Sequence, residues 1–406
     1  MRARRLARPP MMAAALAWAA ACSSPVDQPG STVPGKCQAD APIIATQKTD
    51  VLFVIDNSGS MAEEQAAIAT ELPAFVSELR QGGGVAQDFR VGVITTSVYR
   101  RSFFNNREDY REYPEEAGHL RPVPTASGGA STERFIEGAD LELLPKFERL
   151  VKQGTSGSGQ ETPFEAVRLA VASPLATTPL EQGGNGGFLR DGARLLVVVV
   201  TDEEDCSSTQ RPPPVTLTED TSRDLCSEQA ASLTSVDEYF NVFQGLRDSK
   251  GAAREVIWAT VGPVALSDKR AGIVKDVTPS GTFVRNVECP TSYGPGFRHR
   301  AMSERFDSQL RNLDSICKSS YRDTLVAIAE LAAVPQSIEV MNLPDPRLAR
   351  VDLTRADGTV QMCSVAAGSL RYDASGEDRP ARLFFLGDCL RRADDKAIEV
   401  KLFCAE

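Results

Sequence analysis

Two short segments combine residue types that suit a hard cation. Asp56-Asn57-Ser58-Gly59-Ser60-Met61 offers one carboxylate and two hydroxyls at alternate positions. These are hard oxygen donors, matched to Mg²⁺, Ca²⁺ or Mn²⁺. Gly59 is expected to let the loop turn sharply, so that both hydroxyls face one point. A second acid, Asp202, closes the run Arg194-Leu-Leu-Val-Val-Val-Val-Thr-Asp202. Asp56 likewise closes Asp50-Val-Leu-Phe-Val-Ile-Asp56, so both acids end runs with the length and branching of buried strands. In an open α/β sheet, ligands bind beyond the carboxyl ends of strands, where strand order reverses.

The elements that must position these residues alternate along the chain. A helix is expected from Ala62 to Arg80, with Ile68, Leu72, Phe75, Val76 and Leu79 on one face and Pro73 bending it. Phe89–Ile94 and Glu255–Val261 read as further strands; Leu141–Lys152, Pro163–Ala172, Val236–Leu246 and Tyr321–Ala333 read as helices. Ser235-x-x-Glu238 has the form of a capping box ahead of the third of these. Continuous apolar strands alternating with helices imply a doubly wound α/β domain: a mostly parallel sheet with helices on both faces. After about Pro335 the texture changes to short strands at Ser337–Val340, Arg350–Leu353, Thr359–Met362, Ala381–Phe385 and Ala397–Phe403. Asp357-Gly358 marks a hairpin turn there. The expected organisation is residues 48–335 as the α/β domain, with insertions at 99–132, 203–232 and 263–300, and 336–406 as a small all-β domain.

VLFVIDNSGSM at 51–61, GSGQETPFEAV at 157–167 and VVVVTDEEDCS at 197–207 together resemble the von Willebrand factor A domain with its metal-ion-dependent adhesion site. GGFLRD at 186–191, the SIC segment at 315–317 and the C-terminal β segment resemble a group of bacterial lipoproteins that carry this domain. The resemblance implies that Asp56, Ser58, Ser60 and Asp202 surround a divalent cation, some of them through water, with a partner carboxylate filling an open position. The threonine of the family pattern falls on Glu161, with Thr162 directly after it. A glutamate there adds a third carboxylate, lessens the need for an acidic partner and favours Ca²⁺ over Mg²⁺, because Ca²⁺ accepts more oxygen ligands.

Plainer roles compete at several positions. Ser60-x-x-Glu63 and Thr162-Pro163-x-Glu165 both have the form of helix N-caps, and for Thr162 capping is the favoured role. Glu203, Glu204 and Asp205 read as a solvated charge run, and His119 and His299 as surface residues. Enzyme chemistry is not expected. A strand ending in Asp could begin a dehalogenase-type phosphatase, but Ser58 stands where the second Asp belongs. Gly154-Thr-Ser-Gly-Ser158 lacks the closing glycine of a nucleophile elbow, and no phosphate-binding G-x-x-x-x-G-K-[ST] is present.

The 406 residues leave room for two or three domains. A formal charge of −10, from 45 basic and 55 acidic side chains, argues against nucleic-acid binding. Arg2, Arg4, Arg5 and Arg8 precede an apolar run, Met11–Ala21, too short to span a bilayer that needs about 20 residues. Residues 1–21 therefore read as an export signal. Ala19-Ala20-Ala21 before Cys22 resembles a lipobox, which implies acylation of Cys22, a tether over 22–47 and a cell-envelope location, at the outer membrane or cell surface. The other eight cysteines, Cys37, Cys206, Cys226, Cys289, Cys317, Cys363, Cys389 and Cys404, suit an oxidising compartment. Proximity favours Cys206–Cys226 and Cys289–Cys317, with two of Cys363, Cys389 and Cys404 paired. The function expected is an exported, lipid-anchored protein that engages a protein or other acidic ligand through a bound cation. A structural envelope component with a stabilising ion, or a metal-dependent hydrolase, are the alternatives.

Overall fold

The computed structural model describes residues 36–37, 47–81, 87–376, 380–392 and 394–403. Cys22 and Cys404 lie outside them, as do the export signal and most of the tether. The largest sheet has six strands: β1 (Gln47–Ile55), β2 (Gln87–Thr95), β3 (Phe135–Glu137), β4 (Arg194–Val200), β5 (Val256–Gly262) and β6 (Leu313–Ser315). Their spatial order is β6-β5-β4-β1-β2-β3. Every neighbouring pair is parallel except β2 and β3. Phe53 sits opposite both Val93 and Val198, which fixes the register of the three central strands.

Alternate residues of these strands enter two separate cores. Val51, Phe53 and Ile55, with Leu196, Val198 and Val200, pack under α1 (Ala62–Gln81), α2 (Leu143–Leu150) and α6 (Arg322–Ala333). Leu52 and Val54, with Leu195, Val197 and Val199, pack under α3 (Pro163–Val171), α4 (Val236–Gln244) and α5 (Phe297–Phe306). A strand with period-two side chains must be apolar at every position to fill both cores, which explains the unbroken valine run of β4. Helix α1 runs through Pro73. Ser235 accepts from the Glu238 amide at 3.1 Å and caps α4.

The expected doubly wound, mostly parallel α/β class with one small all-β appendage is corrected. The described residues form five sheets, four of them small and antiparallel or mixed, and the six-stranded sheet is itself mixed. The stretches read as irregular insertions build strands of their own. Tyr99–Phe104 and Arg107–Glu112 pair as a hairpin, because Asn105 and Asn106 both take positive φ, 52° and 59°, and close a two-residue turn. Leu217–Thr218 joins this hairpin in parallel. Ile273–Thr278 and Gly281–Asn286 form a second hairpin.

Beyond residue 335 there are two sheets. Ser337–Val340, Ala381–Phe385 and Leu370–Asp373 form one. Lys36–Cys37, Ala397–Phe403, Arg350–Thr354 and Val360–Ser364 form the other. Gly358, at φ 88°, turns the Arg350–Thr354 hairpin. Glu255 ties this region to the large sheet, accepting from the Gln336 amide at 2.9 Å and the Ser337 hydroxyl at 3.0 Å. Disulfides join Cys206 to Cys226, Cys289 to Cys317 and Cys363 to Cys389. No helix among the described residues is long and apolar enough to cross a membrane.

Candidate metal centre

Strands β1 and β4 lie side by side, so Asp56 and Asp202 leave the sheet at the same edge. The Asp56 amide donates to Val200 O at 2.9 Å, which carries the pairing one residue past the strand end. Asp56 is fully buried and its carboxylate is oriented by two donors: the Ser58 amide to Oδ1 at 2.7 Å and the Thr201 hydroxyl to Oδ2 at 2.6 Å. Ser58 Oγ and Ser60 Oγ lie 3.2 Å apart, and Ser60 Oγ donates to Asp202 Oδ1 at 3.1 Å. The D-x-S-x-S loop and the second strand-end acid therefore meet through side-chain oxygens.

Gln65, from the first turns of α1, supports the loop from below. Its amide nitrogen donates to Asp56 O at 2.8 Å and Gly154 O at 2.9 Å, and its oxygen accepts from the Gly154 amide. Asn57 accepts from Ser97 at 2.8 Å and donates to Glu116 at 2.9 Å. A Cβ at Gly157 would come within 2.2 Å of Asn57 Oδ1, so only glycine fits there. Gly59, expected to be the steric requirement, meets nothing within 4 Å and has no positive φ; the turn needs no glycine at that point.

Glu161, beside Thr96, is 1% exposed. The Thr96 hydroxyl donates to its Oε2, and the Cys206 amide donates to its main-chain carbonyl at 2.7 Å. Burial is the first cause that pushes Glu161 well above the ordinary carboxylate range; Asp56, Glu203 and Asp202 push it further. Asp202 is raised in the same way by burial, then by Asp56. For Asp56, burial outweighs the bonds from Thr201 and Ser58 that favour its charge. Two oxygens, Glu161 Oε1 and Asp202 Oδ2, are buried without a hydrogen-bond partner. Thr162 holds the N-cap position of α3 but makes no cap bond; its hydroxyl donates to Thr96 O at 2.6 Å.

The charge run after Asp202 is not a solvated one. Glu204 and Asp205 are 2% and 0% exposed. Glu204 accepts from the Phe297 and Arg298 amides at 2.6 and 2.9 Å, which satisfies the N-terminus of α5. Asp205 pairs with buried Arg298 at 2.7 Å. His299 is likewise corrected from surface to core: it is fully buried, with its ring edge-on to Phe164 at 5.6 Å. His119 is half-buried. Burial of these charges depends on α5, some ninety residues downstream, and no local pattern announces it.

The oxygens suit a hard divalent cation. A cation would give the two orphaned carboxylate oxygens a partner and offset the mutual repulsion of the acids. The donor set is made of carboxylates and hydroxyls together; among the described residues no three Asp, Glu, His or Cys side chains are gathered as a metal site on their own.

No family model matches the chain, and no curated protein matches it. Among solved structures it is similar to proximal thread matrix protein 1 from the mussel byssus, at 10% identity and a TM-score of 0.33, covering 75% of this chain and 51% of that one. It is also similar to the pilus adhesin SpaC from Lactobacillus rhamnosus GG, at 12% identity and a TM-score of 0.33, covering 89% and 39%. A third is the pilus adhesin RrgA from Streptococcus pneumoniae, at 10% identity and a TM-score of 0.28, covering 92% and 58%. The chain thus spans less than two thirds of each, and likenesses this low establish no shared fold. The expected membership of the von Willebrand factor A family is corrected: no family model matches the chain, and among the described residues the acids do not gather into a metal cluster.

Proposed function

We propose that this protein is an exported, lipid-tethered binding protein of the cell envelope, not an enzyme, which holds one divalent cation and engages a protein ligand there. The observation that carries the reading is the meeting of Asp56, Ser58, Ser60 and Asp202 through their side-chain oxygens, with Asp202 Oδ2 buried and unpartnered. Ser58, Ser60, Asp56 and Asp202 would ligate the ion, and Glu161 would add its orphaned oxygen. A bound ion supplies a Lewis-acidic point on which a ligand oxygen can close the shell. Ca²⁺ suits this set better than Mg²⁺, because a third carboxylate and a long Glu side chain favour looser geometry. Thr201, Thr96 and Gln65 orient the ligands without touching the ion. Ser60 is partly exposed and Gly59 exposed, which leaves this side of the site open to a partner.

The tether is Cys22, acylated after removal of residues 1–21; two lipid signals are enough for stable anchoring where one is marginal. Two experiments test the reading. The Cys22→Ser protein should leave the membrane fraction, and persistence there counts against lipidation. Immobilised protein should retain an envelope component with Ca²⁺ present and release it with chelator. Retention that ignores the chelator points to a structural role for the ion.

A further inference from the structure

We propose that the cleft between the large sheet and the C-terminal β region binds a small aromatic carboxylate that carries a hydroxyl on its ring. The cleft measures about 600 Å³, counted to its open mouth. It exists because β6 is short. Strand β6 pairs only with Thr260–Gly262, so the first half of β5 has no strand along its outer edge among the described residues. Val256 and Trp258, which line the cleft, are in register with Leu195 and Val197, and these with Asp50 and Leu52. The cleft therefore lies at the opposite end of the sheet from Asp56 and Asp202, and the inference does not depend on a cation.

Its walls are largely ring surface. Trp258 and Phe306 stack with centroids 5.8 Å apart, and Phe384 and Phe385 line the C-terminal side. The indole N–H of Trp258 is spent on Thr260 Oγ1 at 3.0 Å. Of the five charged side chains in the lining, four are paired: Glu255 with Arg194 at 3.6 Å, Asp307 with Arg311 at 2.7 Å, and Arg305 with Asp237 at 2.7 Å. The fifth, half-buried Arg371, forms no ion pair among the described residues; Asp373, two residues on, is held by Arg247 at 3.1 Å. The Arg371 guanidinium lies over Phe384 at 4.4 Å, donates to Gln244 O at 2.8 Å, and keeps a buried Nε without a partner. On the wall ahead of β6, Asn312 is 3% exposed. Its Nδ2 donates to Trp258 O at 2.8 Å and Ser303 O at 3.1 Å, which leaves Oδ1 buried without a partner. One uncompensated cation and one orphaned acceptor on different walls of an aromatic cleft call for an acid at one end of a ring and a donor at the other.

The test is calorimetric titration of the full chain with 3-(4-hydroxyphenyl)propanoate, its neutral amide, and 3-phenylpropanoate. The hydroxylated acid is expected to bind about tenfold more tightly than its amide, a difference of about 1.4 kcal/mol. It should also bind about fivefold more tightly than the acid without the hydroxyl. Arg371→Gln should abolish the preference for acid over amide while the amide binds as before, which shows the cleft intact; Arg371→Lys should keep part of the preference. Equal binding of acid and amide, equal binding of the two acids, or no heat from any of the three overturns the inference. A preference that survives Arg371→Gln overturns it as well. Should a variant fail to fold, the comparison of the three compounds on the wild type decides alone.

Discussion

The Thr201 hydroxyl donates to Asp56 Oδ2 at 2.6 Å, across two neighbouring strands whose last residues they follow. Both are fully buried. The bond fixes one carboxylate oxygen and leaves the loop side of the group to the serines. Thr201→Val keeps the shape and removes the donor, so a buried carboxylate oxygen loses its partner. The expected cost is about 2 kcal/mol of stability, measured by urea denaturation of the metal-free protein at neutral pH. An unchanged midpoint would show that Oδ2 finds another donor.

Cys206 begins a loop that starts four residues beyond Asp202 and is closed by Cys226, 20 residues on. Replacing both cysteines with serine should lower stability by about 3 kcal/mol on the chain-entropy view. The same variant should bind Ca²⁺ more weakly, because the Cys206 amide is what anchors Glu161 O. Thermal denaturation together with metal titration checks both effects; a loss of stability with unaltered metal affinity separates the bridge from the site.

His299 gives the fold a pH dependence with a defined sign. Burial is the first cause that lowers its pKa, from 6.5 to about 4, opposed by Asp205 and reinforced by Arg298. The unfolded chain therefore takes up the proton first as pH falls. The stability tied to neutral His299 is fully present above about pH 6.5 and is lost progressively down to about pH 4. The total is about 3 kcal/mol. Because the buried acids titrate with the opposite sign, the check is the difference between wild type and His299→Phe across that range. A difference independent of pH would contradict the assignment.

Glu161→Thr removes the third carboxylate. Ca²⁺ affinity should fall about tenfold, roughly 1.4 kcal/mol, while attraction for an acidic peptide at saturating Ca²⁺ should rise. Calorimetry of the two proteins reads the first effect and peptide titration the second. Equal Ca²⁺ affinities would place Glu161 outside the coordination shell.

Local signals in the sequence were legible wherever one element carried its own reason. The apolar runs at Val51–Ile55 and Leu195–Val200 became strands because every position fills one of two cores. The Ser235 cap and the Asp357-Gly358 turn lie where their patterns place them. Asp56 and Asp202 converge because they end adjacent strands. The overall class was not legible. Residues 99–132 read as an insertion, yet two left-handed asparagines, Asn105 and Asn106, make a hairpin there. Glu204, Asp205 and His299 looked exposed because charged and titratable residues usually are. Their burial is decided by Arg298 and the amide groups at the start of α5, contacts of long range that no spacing rule contains.

The most direct test of the account is calorimetric titration of Ca²⁺ and Mg²⁺ into the wild type, Asp56→Ala and Asp202→Asn. The account predicts one ion per chain in the wild type, tighter for Ca²⁺, and no measurable binding in either variant while both retain the wild-type circular dichroism. Absence of heat in the wild type, or binding that survives both substitutions, would contradict it.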